Sequence, residues 1–393
     1  MKYKLEDICI KITDGSHYSP IDDPTSSIPM LSVKDMEEFD FNYNNCKHIS
    51  EEEYKKMLKN NCVPKLYDVL VAKDGSYLKE IFVNEKENKK AILSSIAIFR
   101  PNQDIVDPYF LCYLLKTPMI LNYVKDNCVS GSALPRIILR AFKRIELMIP
   151  EIKTQKRIVK IIKDINDKIK VNNEINNNLH ELCNNMYFEL LSQLNEKNST
   201  KKQMKEISKC VLGGTPSRVK SEYWNGNINW INSGEVNKFR IIEASETITD
   251  LGLQKSSTTL LPKGTTVLAI TGATLGQVSR LEIDSCANQS VIGVIPSDKE
   301  LNNYIYLSIL NTINDLILKQ TGGAQQHINK NDVETHEIIV PNDKLLKEFD
   351  DRIKSIFNKI SLNCFENKRL EQLRDILLPK LMNGEINLDN IEI

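Results

Sequence analysis

The stretch IVKIIKDINDKIKVNNEINNNLHELCNNMYFEL (Ile158–Leu190) decides how this chain is built. Steps of alternately four and three residues pick out Ile158, Ile162, Ile165, Ile169, Asn172, Asn176, Leu179, Cys183, Met186 and Leu190, the a/d seam of a heptad repeat. The same steps through FDDRIKSIFNKISLNCFENKRLEQLRDILLPKL (Phe349–Leu381) give Phe349, Ile353, Ile356, Ile360, Asn363, Asn367, Leu370, Arg374, Leu377 and Leu381. Only Cys183 against Arg374 differs in character. For either helix alone, an apolar stripe is explained by packing on its own domain. The matched asparagines shift the weight, because a buried Asn costs stability unless it meets a partner, and Asn facing Asn across a coiled coil fixes register. The two helices are therefore expected to pack on each other. An antiparallel pair sets Asn172 against Asn367 and Asn176 against Asn363; a parallel pair matches them too, so the seam leaves direction open.

Outward from the seam, the whole chain reads as one unit written twice. Leu5-Glu6-Asp7-Ile8 returns as Met204-Lys205-Glu206-Ile207, and the turn Asp14-Gly15-Ser16 as Gly213-Gly214-Thr215. Val63-Pro64-Lys65 with the run Val69 to Ala72 is echoed by Leu261-Pro262-Lys263 with Val267 to Ile270. SIAIFRP (Ser95–Pro101) matches SVIGVIP (Ser290–Pro296), and Ser130 to Ala133 matches Thr321 to Ala324. Within each copy, short β-rich runs between Gly, Pro, Asn and Asp clusters surround one helix, Tyr109 to Leu121 and Tyr304 to Lys319, which suggests a compact α+β domain. Each copy ends at Ile149-Pro150 or Val340-Pro341 and turns helical. The expected organisation is a first domain over 1–150, a long helix over 151–197, a second domain over 198–341, a second long helix over 342–383 and a tail over 384–393. Two similar α+β domains separated by a coiled-coil rod and related by a pseudo-twofold is the predicted architecture. A seam over 158–190 is about 50 Å long at about 1.5 Å per residue.

The 393 residues exceed one comfortable domain, and 41% hydrophobic with 26% charged residues is an ordinary soluble composition. Fifty-two Lys and Arg balance 52 Asp and Glu, which removes a strongly basic chain as an argument for nucleic acid while leaving room for local patches. Nine cysteines lie far apart with no C-x-x-C, so reduced thiols in a cytoplasm are expected. The N-terminus has no signal core, and no apolar run approaches the roughly 18 residues of a membrane span.

A search for catalysis finds none. Asp107-Pro108-Tyr109-Phe110 resembles the Asp/Asn-Pro-Pro-Tyr/Phe signature of amino-methyltransferases but lacks the second proline, and its duplicate reads Asn302-Asn303-Tyr304-Ile305. A helix start capped by Asp107 explains both copies. Gly272-Ala273-Thr274-Leu275-Gly276 lacks the spacing of a nucleotide loop and the Lys-Ser/Thr of a P-loop. Glu151-Ile152-Lys153 falls at a helix start with no paired upstream Asp, and His17, His48, His180, His327 and His336 form no zinc motif.

Loops differ between the copies while the framework repeats, as two readers of different half-sites on duplex DNA would require. Several loops hold side chains suited to base edges, Asn or Gln for adenine, Arg or Lys for guanine, Glu or Asp for cytosine. In the first copy the candidate DNA contacts are Lys34 and Asp35 in Ser32 to Asp35, Lys73 and Ser76 in Lys73 to Tyr77, Arg136 at the end of Gly131 to Arg136, and Arg140. In the second they are Ser233 and Glu235 in Asn232 to Glu235, Thr271 and Thr274 in Thr271 to Gly276, and Gln325, Gln326, His327 and Asn329 in Gly322 to Lys330. Arg136, Arg140, Lys143 and Arg144 place four cations together, enough for phosphate contacts.

With the duplicated domains and heptad helices, the strings WINSGEV (Trp230–Val236), LAITGATLG (Leu268–Gly276), QTGGAQQHIN (Gln320–Asn329) and LPKLMNGEI (Leu378–Ile386) make the chain resemble the specificity (S) subunit of type I restriction-modification enzymes, over nearly its whole length. The resemblance implies that each domain reads one half of a bipartite asymmetric DNA target, that the helices form an antiparallel coiled coil setting the spacer, and that the subunit has no active site. It implies two modification subunits as partners, bringing S-adenosylmethionine to methylate adenine, and restriction subunits that cleave with ATP and Mg; this chain itself is expected to bind no cofactor or metal. The first copy departs from the family strings, with Lys73-Asp74-Gly75-Ser76 in place of the TGATLG loop. Two other readings remain: a specificity subunit serving a methyltransferase without a type I nuclease, and a DNA-modifying enzyme in its own right. A two-headed transcriptional regulator is disfavoured by the absence of a helix-turn-helix motif.

Overall fold

A computed structural model describes residues 1–75, 77–130, 135–318 and 327–388. The chain divides into two compact units, Met1–Asp167 with Leu370–Ile393, and Lys168–Arg369.

In the first unit, a four-stranded antiparallel sheet runs in the order Cys9–Asp14, Ile96–Pro101, Val69–Ala72, Ile81–Val83. A three-stranded sheet orders Lys47–Ile49, Ile28–Leu31 and Ala91–Ile92, the last pair parallel. A two-stranded ribbon joins Lys2–Lys4 to Glu146–Met148, tying the start of the chain to the end of the domain. The second unit repeats this order. Its four strands are Ser208–Leu212, Val291–Pro296, Thr266–Ala269 and Val278–Arg280; its three are Glu246–Ile248, Trp224–Ile231 and Cys286–Ala287, again with one parallel pair; its ribbon joins Ser199–Gln203 to Glu337–Pro341. Strands buried on both faces read as unbroken apolar runs, which is why Val69 to Ala72 and Val267 to Ala269 contain no alternation.

The same backbone approach occurs at the start of each copy, where Gly15 answers to Gly213, one residue before the glycine the matched turns paired with it. The Gly15 N–H donates to Ile96 O and the Gly213 N–H to Val291 O, each at 3.0 Å. A Cβ at Gly15 would stand 2.3 Å from Ile92 O, and at Gly213 2.1 Å from Asn288 O, so neither position admits a side chain.

The expected helix Tyr109 to Leu121 is two helices, Pro108–Leu115 and Pro118–Asn127. Pro118 has no N–H to continue the first and opens the second, where its fixed φ fits. Its counterpart in the second unit, with Ile313 at that place, runs unbroken over Leu301–Leu318. Asp107 caps the first helix through the Tyr109 and Phe110 N–H groups.

Two long helices follow the domains, Ile152–Gln193 and Asp343–Met382. They pair antiparallel inside each unit. In the second, Asn172 Nδ2 donates to Asn367 Oδ1 at 2.8 Å, Asn363 Nδ2 donates to Asn176 Oδ1 at 2.9 Å, and Glu189 meets Arg352 at 3.5 Å, so rising numbers on one helix meet falling numbers on the other. In the first, Arg157 donates to Leu388 O, and Ile158 and Ile162 share a core with Leu378 and Leu381. The seam asparagines do not bond only to each other: Asn172 also donates to Glu366 at 2.8 Å and Asn367 to Asn173 at 2.7 Å. The carboxyl of Glu366 is thereby held below its ordinary range.

The apolar face of each helix is wider than its seam. Ile158, Ile162, Ile169, Ile353 and Ile360 are buried, whereas Ile165, Leu179, Ile356 and Leu370 are half-buried. Off the seam, Asn166, Tyr187, Phe357 and Leu378 are buried. The reason is double packing: Ile158, Val159 and Ile162 join the core of the first domain, and Cys183, Tyr187, Leu190, Phe349, Ile353 and Phe357 that of the second. Mutual pairing and packing on the adjacent domain therefore operate together, each fully buried Ile or Leu contributing about 1.5–3 kcal/mol.

Candidate nucleic-acid interface

Each domain has two ends, set by strand direction. At one end of the first four-stranded sheet, Pro101 leads to Asp107, whose N–H donates to Gln155 Oε1 of the long helix at 2.9 Å; Gln155 Nε2 donates to Ile105 O and Pro150 O, also at 2.9 Å. That end is committed to the helices.

The other end gathers loops. Ser95, at the start of the second strand, accepts at its carbonyl from the Lys73 N–H at 2.9 Å, and its hydroxyl accepts from the Val33 N–H at 3.1 Å. The Ile137 N–H donates to Lys73 O at 3.0 Å and the Gly75 N–H to Pro135 O at 2.9 Å. Three loops chosen from sequence, around Lys34, Lys73 and Arg136, are thus brought together by one serine and one strand end. The second domain uses the same bonds: Ile270 N–H to Ser290 O and Ile328 N–H to Ile270 O, each at 3.0 Å, with the Ser233–Asn237 turn lying against Gly272–Thr274. Gly75 and Gly272 take matching left-handed conformations, φ 70° and 69°.

Within these clusters the candidates separate. Lys34, Arg136, His327 and Asn329 are exposed, and Ser233, Thr271 and Thr274 half-buried. Arg140 is exposed on the next short helix, Leu139–Phe142, while Lys143 O accepts the Glu6 N–H towards the ribbon. Asn329 also caps Lys330–Glu334, accepting from the Asp332 N–H at 3.0 Å. Ser76, Gln325 and Gln326 lie outside the described residues.

Three candidates need correction. Asp35 is buried and accepts from the Ser32 N–H at 2.7 Å and hydroxyl at 2.9 Å. Glu235, equally buried, accepts from the Asn232 N–H at 3.1 Å and from the Ser245 N–H and hydroxyl, both at 3.0 Å. Both carboxylates close capping boxes that shape a short turn, so their lone pairs face inward, away from any base. Lys73 is buried with its ammonium 2.6 Å from Asp14, neutralised where a phosphate contact would need free charge.

Sequence reasoning missed Asp14 and Asp74, which sit at the loop end as partners of Lys73 and Arg136; a carboxylate next to a turn glycine carries no distinguishing spacing. It also missed a buried cluster at the helix end of the second domain. Arg280 meets Glu282 at 2.6 Å, Arg240 donates to the Tyr306 hydroxyl at 2.8 Å, and the Arg240 guanidinium stacks between Phe239, Tyr306 and Phe357. His180 of the first long helix packs on Phe239, and burial with nearby Arg240 pushes its pKa down to about 4. Among the described residues no His, Cys, Asp and Glu group is arranged to hold a metal ion, and no helix is long and apolar enough to cross a membrane.

Comparison with known proteins agrees with the duplication. The chain matches the model of the type I restriction modification DNA specificity domain twice, over residues 1–181 and 196–374. It is 25% identical to the HindI specificity subunit of Haemophilus influenzae, covering 84% of this chain and 88% of that one. It is also 25% identical to the MjaIX specificity subunit of Methanocaldococcus jannaschii, over 74% and 72%. In fold it resembles the crystal structure of a type I restriction-modification S subunit from M. genitalium, with a TM-score of 0.58 at 14% identity and coverage of 97% and 95%. Each match to the family model takes in one domain and most of the long helix that follows it, and the chain belongs to the type I restriction-modification DNA specificity family.

Proposed function

We propose that this chain is the DNA sequence-recognition subunit of a type I restriction-modification complex, with one domain reading each half of a bipartite, asymmetric duplex target. The observation that carries this is the repeated frame with unlike loop ends: the same backbone bond joins Ile137, next to Arg136, to Lys73 in one domain and Ile328, next to His327, to Ile270 in the other. A symmetric reader would repeat its side chains as well as its backbone. The chemistry falls to partners. Two modification subunits supply adenine methylation with S-adenosylmethionine, and restriction subunits supply cleavage with ATP and Mg, while this chain provides the address in the cytoplasm and binds neither cofactor.

Methylome sequencing of the host with and without the gene tests the reading. Loss of one bipartite adenine-methylation motif on deletion, restored by the intact chain, is the expected result; an unchanged methylome contradicts it. Methyl transfer by the purified chain alone would instead identify an enzyme.

A further inference from the structure

We propose that Arg136 reads a guanine in the half-site addressed by the first domain, with Asp74 as its positioning residue; this rests on the DNA-recognition reading above. Arg136 stands at the loop end, and the backbone around it is fixed. The neighbouring Ile137 N–H is held by Lys73 O and the preceding Pro135 carbonyl by the Gly75 N–H. Asp74 and Arg136 face each other as an isolated antiparallel bridge, and Nε of the guanidinium lies 3.0 Å from Asp74 Oδ1. The Asp74 side chain is 20% exposed and that of Arg136 61%. The contact is an ion pair in which Asp74 Oδ1 takes no hydrogen bond, so the carboxylate holds the guanidinium by charge and leaves its planar fork of donors to be engaged by a ligand. The major-groove edge of guanine offers O6 and N7 as two acceptors matched to that fork.

The Asp74 carboxylate also decides between base and phosphate. It cancels much of the local positive charge, which weakens attraction to a phosphate, while it keeps the guanidinium beside the loop end, a restraint that a base edge needs more than a phosphate does. The second domain places His327 at the corresponding backbone position, since the next N–H, Ile328, bonds Ile270 O as Ile137 bonds Lys73 O. Thr271 follows Ile270 where Asp74 follows Lys73, so the arginine–carboxylate pair belongs to one copy only. Two unlike readers on one frame fit an asymmetric target.

The test uses the full chain assembled with its modification subunits. In methylome sequencing, Arg136→Ala should turn one G·C position of one half-site into any base and leave the other half-site intact. Affinity for the cognate duplex should fall about 10- to 100-fold, with non-specific binding nearly unchanged. Arg136→Lys keeps the charge and loses the fork, so it should relax the same position; Asp74→Asn should relax it less. Wild-type behaviour of Arg136→Lys, or uniform weakening by Arg136→Ala with the motif intact, identifies a phosphate contact and overturns the proposal. A wild-type half-site that is affected but lacks guanine overturns it as well. If the wild-type complex yields no bipartite motif, the recognition reading itself fails, a result separable from these.

Discussion

At the loop end of the first domain, Lys73 is buried against Asp14 and Arg136 stands on Asp74; the second domain fills the matching places with Ile270, Thr271 and His327. The helix ends diverge in the opposite sense. Glu85, two residues past the strand Ile81–Val83, meets the Tyr109 hydroxyl at 2.8 Å and Lys163 at 3.7 Å and is 35% exposed. Glu282, two residues past Val278–Arg280, is fully buried with Arg240 and Arg280. At these positions the first domain pairs Lys73 and Arg136 among the loops and leaves Glu85 partly exposed, whereas the second buries Glu282 with its arginines; the first domain also buries a pair of its own before Val69, Arg100 with Asp68 at 2.7 Å. Strand order, register and the turn glycines survive both choices. The frame is therefore held by backbone bonds and apolar packing, which leaves the polar positions free to diverge between half-sites.

The contrast breaks most visibly at the buried glutamate. Glu282→Ala leaves two buried guanidinium groups uncompensated and should cost about 3–5 kcal/mol, whereas Glu85→Ala at its partly exposed site should cost less than about 1 kcal/mol. Equal losses in denaturant unfolding would show that the two junctions are alike after all. The paired helices supply the next test. Asn363→Leu strips Asn176 of its buried partner and should cost about 1–3 kcal/mol; adding Asn176→Leu should recover stability while relaxing register, read by disulfide trapping across the seam.

Lys73→Ile copies the second domain into the first. With Asp14 left beside His17 without its ammonium, about 1–2 kcal/mol should be lost, and the methylated motif should stay the same. A changed motif would return Lys73 to the base-reading residues. A pH dependence arising in the second unit is also expected. His180 stays neutral in the folded chain down to about 4, against an ordinary value of 6.5. The unfolded chain takes up the proton first, so stability is complete above pH 6.5 and declines as pH falls from there towards 4, by at most about 1.4 kcal/mol per unit. His180→Phe, which preserves the ring packing on Phe239 and Tyr306, should flatten that acid limb in a pH series of thermal melts.

Much of the architecture was legible because it rests on periodicity and repetition. The heptads, the twin asparagines and Pro150 and Pro341 are local patterns, and the helices begin at Ile152 and Asp343; the antiparallel direction and the packing of each helix on its own domain as well were not in the spacing. The break at Pro118 was not read: a proline disfavours a helical conformation at Thr117, but the apolar run across it led to one expected helix, Tyr109 to Leu121. The site was less readable. A carboxylate that closes a capping box, as Asp35 and Glu235 do, has the same sequence neighbourhood as one that reaches for a base. Arg280 and Glu282 are near neighbours in sequence, but Arg240 reaches them only through the bridge of Ile241 with Leu281, which no spacing rule encodes.

The central claim is that each domain addresses its own half-site independently. Replacing residues 198–341 with the corresponding segment of a family member of known target, followed by methylome sequencing, tests it most directly. A hybrid motif that keeps one original half-site and acquires one from the donor is the expected result. Methylation persisting at the original motif, or both half-sites changing together, would contradict it.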